Sequence, residues 1–187
     1  MTLRTMLDQI SEYRMVVVSG PQRSGTHVMA KIIADELDWI YIPDTEYSAE
    51  HNGDWAKYVL ESHNVVIHCP HMSHMLHFVP SDVAVVYMYR PIDEIEESFE
   101  RVNPGEVPCC RTEQMLFYPQ PPGVVGSPMG NVCAELKNNY WEAYQQIILG
   151  QRGFSFKYHD LESHPLFYKK EDRKDWLMNQ TEPKGEV

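Results

Sequence analysis

Residues 15–27 read MVVVSGPQRSGTH: an apolar, β-branched run, two glycines five positions apart, then the start of a helical pattern. An uninterrupted apolar run of this kind is a strand covered on both faces. A chain leaving such a strand through Gly20 and Gly25 straight into a helix brings the first-turn N–H groups and the positive end of the helix dipole to one point. Glycine lets the backbone approach an anion closely, so the spacing Gly20-x4-Gly25 predicts a phosphate-binding loop. Glycine-containing strand-to-helix turns also occur in α/β proteins without any ligand. In a triphosphate loop of the form GxxxxGK, the residue after the second glycine is a lysine that reaches the β and γ phosphates. Here that residue is Thr26, followed by His27, and the cation stands upstream at Arg23.

The rest of the chain repeats the alternation. VVIH at 65–68 and VAVVYMY at 83–89 read as further buried strands. Residues 24–37 carry a helical apolar stripe of Val28, Met29, Ile32, Ile33 and Leu37. A shorter helix is expected over 54–63, with Asp54 as its N-cap, and another over 91–102, with Pro91 at its first position. A long helix is expected over 131–149 and a last strand running into a turn over 154–161. Strands alternating with helices predict an α/β fold of three layers, a mainly parallel sheet with helices on both faces. At 187 residues, with neither internal repeat nor linker, residues 1–187 read as one domain. Residues 103–130, rich in proline and glycine, read as a substrate or lid loop. The polar tail 181–187 reads as a frayed end.

Charge narrows the function. With 27 acidic against 16 basic residues the net charge is −11. That excludes a broad basic footprint for nucleic acid and disfavours anionic membrane surfaces, while leaving room for a small anion in a locally basic pocket. Four cysteines without a CxxC pair read as reduced thiols of a cytoplasmic protein. The first fifteen residues are too polar for a signal peptide, and no apolar run approaches the ~20 residues of a membrane span.

The loop PQRSGT after its strand resembles the 5′-phosphosulfate loop of the sulfotransferases. The stretch VVYMYRPIDEIEES resembles their second signature, with Arg90 and, eight residues on, Ser98. FSFKYHDLESHP, at 154–165, is similar to the family's last strand and its Tyr-(Glu/His)-Asp-Leu turn. The resemblance spans 15–165 and implies a P-loop nucleoside-triphosphate-hydrolase-like fold. It implies 3′-phosphoadenosine-5′-phosphosulfate as cofactor, leaving adenosine 3′,5′-bisphosphate as product. It gives Gly20, Arg23, Ser24, Gly25, Thr26 and His27 to the 5′ end of the cofactor, and Arg90 and Ser98 to the 3′-phosphate. The reaction implied is in-line sulfuryl transfer to a hydroxyl or amine of a small or carbohydrate-like acceptor, with Arg23 stabilising the developing charge. Read without the resemblance, Arg23 is a solvated loop cation, Arg90 pairs with Asp93 or Glu94, and Ser98 is a bystander on a helix face. The chain departs from the family at Thr26-His27, at Val66 where cytosolic members carry lysine, and at Val28 where they carry an aromatic. Their C-terminal Arg-Lys-Gly segment has at most a remnant in Arg173-Lys174.

Four of the nine histidines lie in HCPHMSHMLH, residues 68–77, at His68, His71, His74 and His77. Three-residue steps on a helix rotate by about 300° each, so His68 and His77 point apart, and Pro70 separates strand from helix. No acid lies within the ladder, and no metal site is read from it. His68-Cys69-Pro70 stands where the sulfotransferase resemblance places a His-x-Pro catalytic base, with His71 in reserve. The alternative functions are a P-loop nucleotide-dependent kinase or hydrolase, and a non-catalytic nucleotide- or metal-binding module. Neither the acceptor nor the oligomeric state is readable.

Overall fold

The computed structural model describes residues 1–43, 61–70, 76, 79–101 and 134–167. In chain order they form α1 (Leu3–Ile10), β1 (Met15–Ser19), α2 (Thr26–Leu37), β2 (Ile40–Ile42), β3 (Val65–His68), β4 (Val83–Tyr89) and α3 (Ile92–Glu100). Next, α4 (Ala134–Tyr140) passes through a π-helical stretch, Trp141–Gln145, into α5 (Gln146–Leu149), and β5 (Gly153–Lys157) runs into a 3₁₀ turn, Tyr158–Leu161. The strands pair in parallel throughout, in the order β2-β3-β1-β4-β5.

The period-two alternation of a strand divides the apolar side chains between two faces. Val16, Val18, Val66, Ala84, Val86 and Met88 pack with Met6, Leu7 and Ile10 of α1 and Met29, Ile32 and Ile33 of α2. Met15, Val17, Val65, Ile67, Val85 and Tyr87 form a second core with Trp141 and Leu149. Helices therefore cover both faces, which is why β1 is buried at every position. This is the three-layer, parallel α/β architecture expected, with the strand–glycine loop–helix unit at its centre.

The strands at 65–68 and 83–89 fall where the apolar runs place them, and the helix boundaries shift for identifiable reasons. α2 begins at Thr26 rather than Ser24, because the Ser24 N–H and hydroxyl both donate to the Pro21 carbonyl, at 3.2 and 2.7 Å, and close the loop first. Gly25, left-handed at φ 94°, then serves as N-cap. Pro91 is likewise the cap of α3 and not its first residue, since its ψ of 140° is extended. The long helix runs over Ala134–Leu149, interrupted by the π-helical turn. α1 and the three-residue β2 were not anticipated: α1 is short, and β2 is very short and half solvent-facing. Most of the helix expected at 54–63, the loop at 103–130 and the tail at 181–187 lie outside the described residues.

Topology singles out one place along the sheet. From β1 the chain crosses to β2 and β3 on one side, then returns to β4 and β5 on the other. Between β1 and β4 the connections depart in opposite directions, leaving a crevice beyond the carboxyl ends of the strands. The glycine loop follows β1, and Arg90 follows β4, so both stand at the carboxyl ends of these adjacent strands.

Candidate functional site

The loop 20–25 is shaped by its backbone. Gly20 has φ 141°, and a Cβ there would stand 2.7 Å from the Met88 carbonyl oxygen of β4. Gly25 has φ 94°, and a Cβ there would collide with the Tyr158 ring. Arg23 is left-handed at φ 70° without being glycine. Such a backbone costs on the order of 1 kcal/mol and persists only where its surroundings hold it. Long-range contacts help hold it here: Arg90 Nη1 donates to the Arg23 carbonyl at 3.0 Å, and Arg23 Nε donates to Ser98 Oγ at 3.2 Å. Arg90 and Ser98 are 67 and 75 residues away from Arg23 in sequence, and the fold brings all three to one side of the loop.

Arg90 is itself oriented on two sides. Its guanidinium lies over the Tyr158 ring, 4.0 Å from the centroid, and its Nε donates to Glu94 at 3.0 Å. Glu94 also receives His159 Nε2 at 2.8 Å, and His159 Nδ1 meets Glu162 at 2.8 Å. Partial burial raises the Glu94 carboxyl, but the hydrogen bonds from Arg90 and His159 outweigh it and leave the group below the ordinary carboxylate range. His159 is raised, first by Glu162 and then by Glu94. The helix-acid pairing open to Arg90 from sequence is thus made, through Glu94, and Arg90 contacts the loop as well.

On the other side of the loop, His68 ends β3 and is 6% exposed. Its Nε2 is 2.8 Å from Thr26 Oγ1, the hydroxyl of the first residue of α2. The His27 ring meets His68 edge-on at 5.4 Å, and His27 Nδ1 is 2.9 Å from the Tyr41 hydroxyl. His68 Nε2 thus addresses the first residue of the loop helix. Ser24 is fully buried, and its hydroxyl proton goes to Pro21, so it braces the loop.

The structure brings Gly20, Arg23, Ser24, Gly25, Thr26, His27, His68, Arg90 and Ser98 together around one loop. His71, His74 and His77 lie outside the described residues, and among the described residues no three His, Cys, Asp or Glu side chains converge as metal ligands. Tyr158 and Glu94, which shape the Arg90 pocket, were missed as site residues. Tyr158 stands in the YHDL turn that the sequence singled out, while nothing local in sequence marks it as a shelf for Arg90.

Among the described residues no helix is long and apolar enough to cross a membrane. No family model matches the chain, and no curated protein matches it. Among solved structures, it is similar to shikimate kinase from Acinetobacter baumannii in complex with shikimate, at 12% identity and a TM-score of 0.48, covering 94% of this chain and 99% of that one.

Proposed function

We propose that the chain is a nucleotide-dependent group transferase, and that the group it moves is sulfuryl, taken from 3′-phosphoadenosine-5′-phosphosulfate and delivered to a hydroxyl or amine of a small acceptor. The observation that carries this reading is the convergence of Arg23, Arg90 and Ser98 on a glycine loop whose following residue is Thr26 and not lysine. The residues fit an anionic nucleotide. The loop leaves no room for a Cβ at Gly20 or Gly25, so its backbone is committed to a conformation that only glycine adopts freely, as close approach to an anion requires. Two arginines offer planar forks suited to phosphate oxygens.

On this reading the loop backbone, Arg23 and Thr26 hold the 5′ end, and Arg90 and Ser98 hold the 3′-phosphate. The bound cofactor supplies a sulfuryl group carried on a phosphate leaving group. Arg23 and the first-turn N–H groups of α2 stabilise charge growing on the leaving oxygen. His68 Nε2 releases Thr26 Oγ1 to the ligand and accepts the proton lost by the acceptor. The acceptor remains a small molecule of unnamed class, with neither nucleic acid nor membrane proposed as partner, and the chain is proposed to act in the cytoplasm.

The spacing Gly20-x4-Gly25 on a parallel sheet supports a second reading, a P-loop kinase or hydrolase in which Arg23 takes the role of the loop lysine. One titration separates the two. Calorimetry with adenosine 3′,5′-bisphosphate, AMP and ATP with Mg²⁺ should show preference for the bisphosphate, lost in Arg90→Ala. Equal binding of AMP would sink the 3′-phosphate assignment, and tight ATP binding with Mg²⁺-dependent loss of the γ-phosphate would establish the kinase or hydrolase reading.

A further inference from the structure

Arg90 meets the loop with a carboxylate already on it. Its Nε donates to Glu94 Oε2 at 3.0 Å. The second oxygen of that carboxylate, Oε1, lies 2.8 Å from His159 Nε2, and His159 Nδ1 lies 2.8 Å from Glu162 Oε1. An imidazole carries one N–H when neutral and two when charged, whereas an ionised carboxylate only accepts. Both ring nitrogens of His159 face carboxylate oxygens, so the two contacts together fit the imidazolium alone. A neutral ring keeps one of them and sets a lone pair against the other carboxylate.

The series Glu162–His159–Glu94–Arg90 thus alternates in charge and ends on the guanidinium that donates to the Arg23 carbonyl. Among the described residues, the groups facing His159 are Glu94 from α3, Glu162 from its own turn and the Tyr158 ring, edge-on at 5.6 Å. Those facing Arg90 are Glu94, the Arg23 carbonyl and the face of Tyr158 at 4.0 Å. Arginine does not give up its own proton, so His159 is the member of the series that titrates near neutrality. With the ring charged, two cations share Glu94 and the three groups sum to one positive charge. With the ring neutral, Arg90 and Glu94 cancel. Glu162 carries its charge in both states.

We propose that His159 is a proton-operated control on Arg90: charged, it shares Glu94 and leaves the arginine's charge to an anion, and neutral, it leaves Glu94 to offset that charge. Anion affinity at Arg90 therefore falls as pH rises through the His159 titration. Glu162 and Glu94 raise that titration above the ordinary histidine value, which brings the control towards neutral pH. The ring is half exposed, so solvent screens the coupling and about threefold in affinity is its expected size. The inference rests on the reading of Arg90 as an anion contact, though not on the choice between sulfuryl and phosphoryl transfer.

The test is calorimetry of adenosine 3′,5′-bisphosphate binding to the full chain at about pH 5.5 and about pH 8.5, on either side of the histidine range. Wild type is compared with His159→Gln, whose amide is neutral at both. Ionisation of the ligand, and of His27 and His68 at the loop, is common to the two proteins and cancels in their ratio. His159→Gln should bind about threefold more weakly than wild type at the lower pH and equally at the higher. The same ratio at both pH values overturns the inference, since a merely structural role would not follow the proton. At the higher pH, Glu94→Gln should bind more tightly than wild type by a similar factor, and no gain overturns the inference. Linkage supplies a readout on wild type alone: saturation with the bisphosphate should move the His159 titration upward in NMR by the same factor, and an unmoved titration overturns the inference. Arg90→Ala separates the failures. Binding weakened by Arg90→Ala but indifferent to His159 defeats this inference alone. Binding indifferent to Arg90→Ala, or absent in wild type, defeats the reading of Arg90 as an anion contact and the inference with it.

Discussion

Gly25 shows how much one residue can be committed to. It is left-handed, it caps α2, and the Tyr158 ring occupies the space a side chain would need. Gly25→Ala should therefore destabilise the chain by at least about 1–2 kcal/mol through backbone strain, before the ring has moved. Urea denaturation measures that loss, and phosphate binding should fall with it. His159 makes a second prediction. Its pKa is raised by Glu162 and Glu94, so its pairing contributes fully below the unfolded value of about 6.5 and is lost as pH rises through the higher folded value. The ring is half exposed, so the contribution to stability is small, and the quantity to measure is the titration itself. An NMR titration should place His159 above the ordinary histidine value, and Glu162→Gln should bring it down. Tyr89 is displaced in the same upward sense, by burial first and Glu142 second, which keeps this phenol neutral throughout the working range.

The helical run from Ala134 to Leu149 serves as the cover of the second core. Trp141 fills the space above Tyr87 and closes its indole N–H on Ser155 of β5. Trp141→Ala should cost about 3–5 kcal/mol, as cavities left by large aromatic side chains do, and a shift in the denaturation midpoint would register it. Trp141→Phe should cost less, keeping the stack and losing the hydrogen bond. The run was legible as a helix from its periodicity, but its π-helical turn was not. Where Trp141 must face both Tyr87 and Ser155 is decided by strands that lie far from it in sequence. α3 was similarly legible in extent, whereas the purpose of its acids was open: Glu94 rather than Asp93 pairs with Arg90.

At the scale of the molecule, a parallel sheet has two unlike ends. The carboxyl end holds the candidate site, and the amino end is held by Arg14. Its Nε pairs with Asp82 at 2.6 Å, its Nη1 donates to the Ser62 carbonyl at 2.6 Å, and its backbone joins Asn64 and Asp82. The hydrogen bond from Arg14 is the main reason the Asp82 carboxyl lies below its ordinary range. That contribution is present above the unfolded pKa of the carboxyl and disappears as pH falls through the lower folded value. Arg14→Met should cost about 1 kcal/mol, modest because Asp82 is largely exposed, and should leave anion affinity unchanged. A change in anion affinity would show that the two ends are coupled through the sheet.

The amino-acid sequence by itself determined the strand–loop–helix unit and the parallel α/β class, whereas His68, Arg90 and Ser98 were joined to the loop only by what the family resemblance implies. The unit and the class follow from local rules: β-branched runs, helical spacing and the two glycines are properties of neighbours in the chain. Tertiary structure alone decided the rest. It put Arg90 over Tyr158, turned His68 towards Thr26 and buried Lys137 against Pro70. Each of these pairs a charged or polar group with a partner up to 68 residues away. The choice among such partners is made by which strand ends lie side by side, which no local pattern specifies.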